Sequence, residues 1–260
     1  MKKKDKTSWG SVASWYDAHL ESNDDTYQKQ VILPNILRIL DLKKGEKVLD
    51  LACGQGFFSR EFDKRGARVI GCDISEELIT LAKEQSEKGI TYHTTQANDF
   101  FFSGAEMFNT VVCILALQNI EDLAGTYREV SRILMKEGRF VFVINHPAFR
   151  IPKESNWGWD DTVGIQFRRI DRYLSAGKVA INMHPGMKNS AETVSYHRSL
   201  QDFFKAGAKA GFATIRFEEW ISHKKSERGL RQKAENTARK EIPLFLMIEA
   251  KKCAKCVRPI

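Results

Sequence analysis

The sequence predicts an α/β protein, with a mainly parallel sheet covered by helices on both faces. Three observations predict it. Apolar runs of strand length alternate with helical stretches from residue 46 to residue 146. The runs are nearly continuous in Val, Ile, Leu and Phe, as strands buried on both faces read. A glycine-rich turn, VLDLACGQGFF (48–58), follows the first run and opens a helix. In an open α/β sheet that position, at the carboxyl end of a strand, is where ligands bind.

Each element has its own signal. Residues 9–20 and 26–41 read as two helices, the second kinked at Pro34, which lacks an N–H and clashes with the preceding turn. EKVLDLAC (46–53) is a strand, and GFFSREFDKRG (56–66) a helix closed by glycine. ARVIGCD (67–73) is the next strand. SEELITLAKEQSEKG (75–89) is a helix with Ser75 as its N-cap and Glu76 and Glu77 in the first turn, where the helix dipole favours acids. ITYHTT (90–95) and FNTVVCILAL (108–117) are strands, LAGTYREVSRILMKEG (123–138) an amphipathic helix running to Gly138, and RFVFVINH (139–146) a strand. Beyond Pro147 the alternation stops, and 147–176 shows no clear period. Residues 178–184 and 192–199 read as a hairpin, 200–212 as a helix, and 212–220 and 243–252 as strands. The expected organisation is one domain over 1–260: N-terminal helices (1–45), a ligand-binding core (46–147), a cap insert (148–199), a C-terminal helix and strands (200–252) and a tail (253–260).

Composition bounds the function. Apolar residues make up 42% of the chain, enough for a packed core. No apolar run approaches the ~20 residues that span a bilayer, and the basic N-terminus is not followed by the apolar stretch of a secretory signal. A cytoplasmic protein without membrane insertion is expected. The net charge of +8 gathers at the N-terminus, in 223–240 and in the tail. It permits an acidic partner, but no aromatic residues are interleaved with the basic runs as a single-strand stacking platform requires. Cys253 and Cys256 supply two thiols where structural zinc needs four ligands, so no metal is expected.

The turn itself excludes the usual phosphate readings. Gly54-Gln55-Gly56-Phe57-Phe58-Ser59 lacks the third glycine of the dinucleotide fingerprint, and no GxxxxGK[ST] is present. Asp50 sits where a phosphate would be repelled. An acid there makes sense if the ligand brings a cation. Asp73 ends the second strand, placed to accept both hydroxyls of a ribose. Asp99, after the third strand, can accept from an adenine amino group.

With D-L-A-C-G-Q-G at 50–56, VIGCD ending at Asp73, Asp99 in QANDF, and the runs FNTVVCILALQNIED and YREVSRILMKEGRFVFVINHP, the sequence resembles the class I S-adenosylmethionine-dependent methyltransferases. The likeness covers about residues 9–147, and YHRSLQDFFKAGAKAGF resembles the C-terminal part of the ubiquinone/menaquinone-type small-molecule subfamily. Ala52 stands where the family often has glycine, Asn109 where it often has Asp, and Gln118 where it often has His.

The resemblance implies a Rossmann-like seven-stranded sheet with its last strand antiparallel. It implies S-adenosylmethionine as cofactor, with S-adenosylhomocysteine as product. It implies cofactor contacts from Asp50, Ala52, Cys53, Gly54, Gly56, Asp73, Ile74, Asn98, Asp99, Leu115 and Gln118. His146, the first residue past the fifth strand, is the candidate catalytic base, with a backbone-bonded loop histidine as the plain alternative. Tyr27, Gln28, Trp157, Trp159, His184, Tyr196 and His197 are candidates for the acceptor pocket, with a structural role as the alternative for His184 and His197 and core packing for Trp157, Trp159 and Tyr196. Three functions stay open: methyl transfer to oxygen or carbon of a small molecule, methylation of tRNA or rRNA through the basic surface, and cofactor binding without turnover. The sequence leaves the oligomeric state undecided.

Overall fold

The computed structural model describes residues 22–182 and 192–253. The expected helix at 9–20, His184, the rest of the loop between residues 182 and 192, and Cys256 lie outside them. A π-helical turn, Gln28–Ile32, runs directly into helix α1 (Leu33–Leu40). The Leu33 N–H reaches back to the Gln28 carbonyl, and Pro34 occupies the first turn of α1, where its missing N–H costs least. The expected kink at Pro34 is thus a change of helix type.

The sheet comprises β1 (Lys47–Leu51), β2 (Arg68–Asp73), β3 (Thr91–Thr94), β4 (Phe108–Ile114), β5 (Leu134–Asn145), β10 (Phe212–Trp220) and β11 (Phe245–Lys252). Their order is β10-β11-β5-β4-β1-β2-β3. The pairs β1–β2, β1–β4, β2–β3 and β4–β5 are parallel, and β11 runs antiparallel between β5 and β10. Chain order reverses at β1, which has β2 on one side and β4 on the other, so the crevice lies at the carboxyl ends of β1 and β4.

Side-chain alternation divides the core between the two faces. Leu49, Leu51, Val111, Cys113, Phe140, Phe142 and Ile248 face α4 (Leu123–Ile133) and α5 (Leu200–Lys209), which contribute Tyr127, Val130, Ile133 and Phe203. Val48, Val69, Val112, Val141, Val143 and Met247 face α1 and α2 (Phe57–Lys64), with Ile36, Ile39, Leu40, Phe58 and Phe62. Helix α3 (Glu76–Gln85) covers the β2–β3 edge, and the Ser75 hydroxyl accepts from the Leu78 N–H as its N-cap.

Two expectations are corrected. Helix α4 stops at Ile133, not Gly138, and β5 begins at once: Leu134 pairs with Phe108, and the Met107 N–H donates to the Ile133 carbonyl (2.7 Å). Gly138 lies inside that strand, where a Cβ would come 3.1 Å from the Asn109 carbonyl oxygen. The second correction is a hairpin in the stretch without clear period, β6 (Ser155–Asp160) with β7 (Ile165–Ile170). Its turn is held by Asp160 Oδ1, which accepts from the Thr162 N–H (2.8 Å). The expected second hairpin forms from β8 (Gly177–Asn182) and β9 (Glu192–His197), and helix α6 (Gln232–Glu241) packs on β7. Among the described residues no helix is long and apolar enough to cross a membrane.

Candidate active site

A cleft opens at the switch point and encloses about 820 Å³ up to its mouth. Its walls come from the turn after β1 (Asp50, Ala52, Cys53, Gly54, Gln55), the end of β2 (Asp73, Ile74) and the turn after β4 (Ile114, Leu115, Ala116, Asn119, Ile120), with Phe57, Phe58 and Leu78 behind. Two non-glycine residues in this wall are left-handed, Ala52 (φ 56°) and Leu115 (φ 54°). Such backbone costs on the order of 1–3 kcal/mol and gathers at functional sites.

The electrostatics are one-sided. Asp50 is 2% exposed and Asp73 8%, and no Lys, Arg or His stands in the wall. Burial drives the Asp50 carboxyl up to about 7; the Ser59 hydroxyl, which donates to Asp50 Oδ2 at 2.6 Å, opposes the shift and Asp73 adds to it. Asp73 is raised too, chiefly by burial, while backbone N–H groups hold its charged form: Gly54 donates to Oδ2 (3.0 Å) and Ser75 to Oδ1 (2.9 Å). A phosphate would face two carboxylates here without a counter-charge. A cation would relieve both.

Gly54 has φ 57° and open space where a Cβ would stand, so any side chain would project into the cleft. Gly56 plays another part. It is the left-handed start of α2 (φ 83°), and its Cβ would meet the Tyr92 hydroxyl at 2.5 Å. It shapes the turn and is not part of the cleft wall.

The cleft thus gathers Asp50, Ala52, Cys53, Gly54, Asp73, Ile74 and Leu115 from the expected set. It leaves out Asn98 and Asp99. The Asn98 amide is turned away to donate to Asp122 Oδ2 (2.9 Å), the residue that caps α4. Gln118 is displaced into a second cavity of about 330 Å³, where Tyr196 and His197 also stand. The two spaces share a wall, the segment 115–120 with its 3-10 turn Leu117–Asn119.

Sequence reasoning missed Gln55, whose Oε1 accepts from the Phe57 N–H (2.6 Å) while its buried Nε2 has no partner among the described residues. A Gln between two glycines of a ligand turn was the available signal. Asn119 was also missed; nothing local marks it, because its place depends on β4 lying beside β1.

His146 lines neither cavity. It is 2% exposed, its Nδ1 accepts from the Ala148 N–H (3.2 Å), and its Nε2 lies 2.7 Å from Glu219 Oε1 on β10. Burial lowers its pKa despite Glu219. A neutral ring that accepts at Nδ1 carries its proton on Nε2, toward Glu219. That places it with the plain alternative, a histidine fastened at both nitrogens. Tyr27 packs edge-on against Phe245 and His223 with its hydroxyl at Ser222 (3.2 Å), and Trp159 lies under Arg231 (4.5 Å) with its indole N–H bonded to Asp161; neither lines either of these two cavities, nor does Gln28. Trp157 lies beneath the guanidiniums of Arg150 (5.8 Å) and Arg168 (5.2 Å).

The sheet order and the switch-point cleft define a Rossmann-like protein with an acid-lined cleft at its ligand-binding position. Comparison with known proteins gives its relatives. A family model described as a methyltransferase domain matches residues 49–142. The chain is similar to demethylmenaquinone methyltransferase of Thermobifida fusca, 31% identical over 60% of this chain and 66% of that protein. It is also similar to ubiquinone biosynthesis O-methyltransferase of Aromatoleum aromaticum, 31% identical over 38% of this chain and 43% of that protein. The chain therefore spans just under two thirds of the first of these relatives and less than half of the second. Among solved structures, an S-adenosylmethionine-dependent methyltransferase from Mesorhizobium loti superposes with TM-score 0.66 at 28% identity, over 84% of this chain and 96% of that one. Residues 49–142 thus match a methyltransferase domain, and the chain is similar in sequence and fold to S-adenosylmethionine-dependent methyltransferases.

Proposed function

We propose that this chain transfers a methyl group from S-adenosylmethionine to oxygen or carbon of a small-molecule acceptor. The observation that carries the reading is the pairing of two buried carboxylates, Asp50 and Asp73, in a cleft without a basic residue. S-adenosylmethionine supplies an electrophilic methyl on a sulfonium, so the chain's own task is to hold, orient and exclude water. In this reading Asp50 takes the α-amino group, Asp73 the ribose hydroxyls, and the free Gln55 Nε2 the carboxylate. The bare Gly54 leaves room for the ligand, and Ile74, Leu115 and Ile120 give the apolar walls.

The small-molecule acceptor is supported by two things. The hairpin β8–β9 packs on the 3-10 turn beside the cleft, as a cap over a closed pocket would. The basic segment 223–240 is partly engaged within the chain: His223 and Lys224 bond to Asp25, Arg239 to Ser226, and Arg231 pairs with Asp161. The relatives named for quinone-pathway methylation add to the same side.

The experiment is a pH series. Asp50 sits near 7 when the cleft is empty, so below that pH a cationic ligand must displace a proton. Affinity for S-adenosylmethionine is expected to fall as pH drops from about 7, approaching about tenfold per unit. Stability of the empty protein runs the other way: the folded carboxyl binds its proton more tightly than the unfolded one at 3.8, so stability is lost as pH rises from about 4 to about 7. Asp50→Asn should flatten the binding profile. A wild-type affinity that does not change between pH 5.5 and 8 would count against the assignment.

A further inference from the structure

The second cavity has the opposite chemistry to the cleft. Three residues of its wall carry a buried polar atom with no hydrogen-bond partner among the described residues: Gln118 Oε1, Arg150 Nε and Arg198 Nη1. No carboxylate stands in that wall. Unpaired buried groups of this kind cost about 1–3 kcal/mol each, more when charged, and call for an explanation.

Each residue is fixed by its remaining contacts. The Gln118 Nε2 donates to the Leu115 carbonyl (2.7 Å), so its Oε1 is an acceptor waiting for a donor. Arg198 Nη2 donates to the carbonyls of Ile120 (2.8 Å) and Glu121 (2.6 Å), while its guanidinium lies over Tyr196 (5.3 Å). Glu121, Asp122 and Asp202 lie within electrostatic reach of it, yet none bonds to Nη1. Arg150 rests on Trp157, and no ion pair or side-chain hydrogen bond of Arg150 is seen among the described residues. Burial lowers its pKa to about 10, and Arg168 and Arg239 nearby lower it further. Two desolvated guanidiniums, each with an open N–H toward one small space, favour an anionic acceptor; a neutral acceptor oxygen beside them favours a hydroxyl.

We infer that this cavity is the acceptor subsite and that the acceptor is a small hydroxy acid, its carboxylate held by Arg150 and Arg198 and its hydroxyl by Gln118. This rests on the methyltransferase reading and narrows it to an oxygen acceptor. Gln118 is the residue nearest the shared wall, so its hydroxyl partner is the end of the acceptor next to the cofactor cleft. The cavity, about 330 Å³ with its open mouth included, limits the acceptor to a small molecule. Arg168 is not part of the subsite: its guanidinium is satisfied by the Phe149 carbonyl (2.8 Å) and the Ser155 hydroxyl (2.8 Å).

The test titrates the full chain, saturated with S-adenosylhomocysteine, with 3-hydroxybenzoate, 4-hydroxybenzoate and 3-hydroxypropionate, and with the amide of each. At least one acid should bind, its amide at least about tenfold more weakly. Arg150→Gln and Arg198→Gln should each weaken the acid about tenfold while leaving S-adenosylhomocysteine affinity intact. Arg150→Lys, which keeps the stem on Trp157, should fall between. No binding of any acid up to about 10 mM, acids and amides of equal affinity, or an acid indifferent to both Gln variants would each overturn the subsite. Because the amide comparison uses the wild-type chain, it does not depend on the variants folding. Loss of S-adenosylhomocysteine binding by the wild type would instead bring down the cofactor reading on which the subsite rests.

Discussion

Asp73→Ala is expected to lower affinity for S-adenosylhomocysteine by about 30- to 150-fold, or about 2–3 kcal/mol, in calorimetric titration. Two losses combine. In the proposed site the carboxylate accepts the ribose hydroxyls. In the structure it also fastens the ligand turn, since its two oxygens accept from the N–H groups of Gly54 and Ser75. Asp73→Asn separates the two. It keeps one acceptor for the turn and loses the charge, so a smaller deficit is expected. An Asp73→Ala protein that binds as tightly as wild type would remove Asp73 from the cofactor site.

Arg139→Met should have the largest effect on stability. Arg139 stands at the opposite end of the sheet and ties four elements together. Its Nη1 donates to Glu249 on β11 (3.3 Å), its Nε to Thr110 on β4 (3.1 Å), and its Nη2 to Glu46 (3.3 Å) and to the Leu40 carbonyl at the end of α1. Glu249 is 4% exposed, and Arg216, 3.3 Å away, is its other cationic partner. Removing Arg139 leaves the buried Glu249 with Arg216 as its cation and takes a donor from Thr110 and the Leu40 carbonyl, at about 2–4 kcal/mol. For a chain of this size that is a fall in melting temperature of roughly 4–16 °C. Cofactor affinity should not change, because the network lies away from the cleft. Adding Glu249→Gln should recover part of the loss. A melting temperature within about 2 °C of wild type would show that the network contributes little.

The parts of the fold and site that were legible in the sequence share a cause: their signal is local. Asp50 and Asp73 were readable because an acid at the end of an apolar strand is costly unless it meets something. Ser75 was readable as a cap from its three following residues. The misses depend on distant partners. Asn98 reads as a ligand residue until Asp122 is beside it, where it completes the N-terminus of α4. The helix expected to reach Gly138 stops at Ile133 because Phe108, far back in the chain, claims Leu134 as a strand partner. The β6–β7 hairpin turns apolar side chains such as Ile165 and Phe167 outward, so its alternation does not read as a strand facing a core. Gln118 is tied to the cofactor through the family pattern, yet its side chain lines the neighbouring cavity. Only the crossing of β9 over the 3-10 turn shows this.

The central claim is that the switch-point cleft holds a cationic nucleoside. Titration of the purified chain with S-adenosylmethionine and S-adenosylhomocysteine, with NAD as the control, tests it most directly. Micromolar binding of the first two, about −8 kcal/mol, with no detectable heat from NAD, is the predicted result. Binding of NAD in preference, or of none of the three, would contradict it.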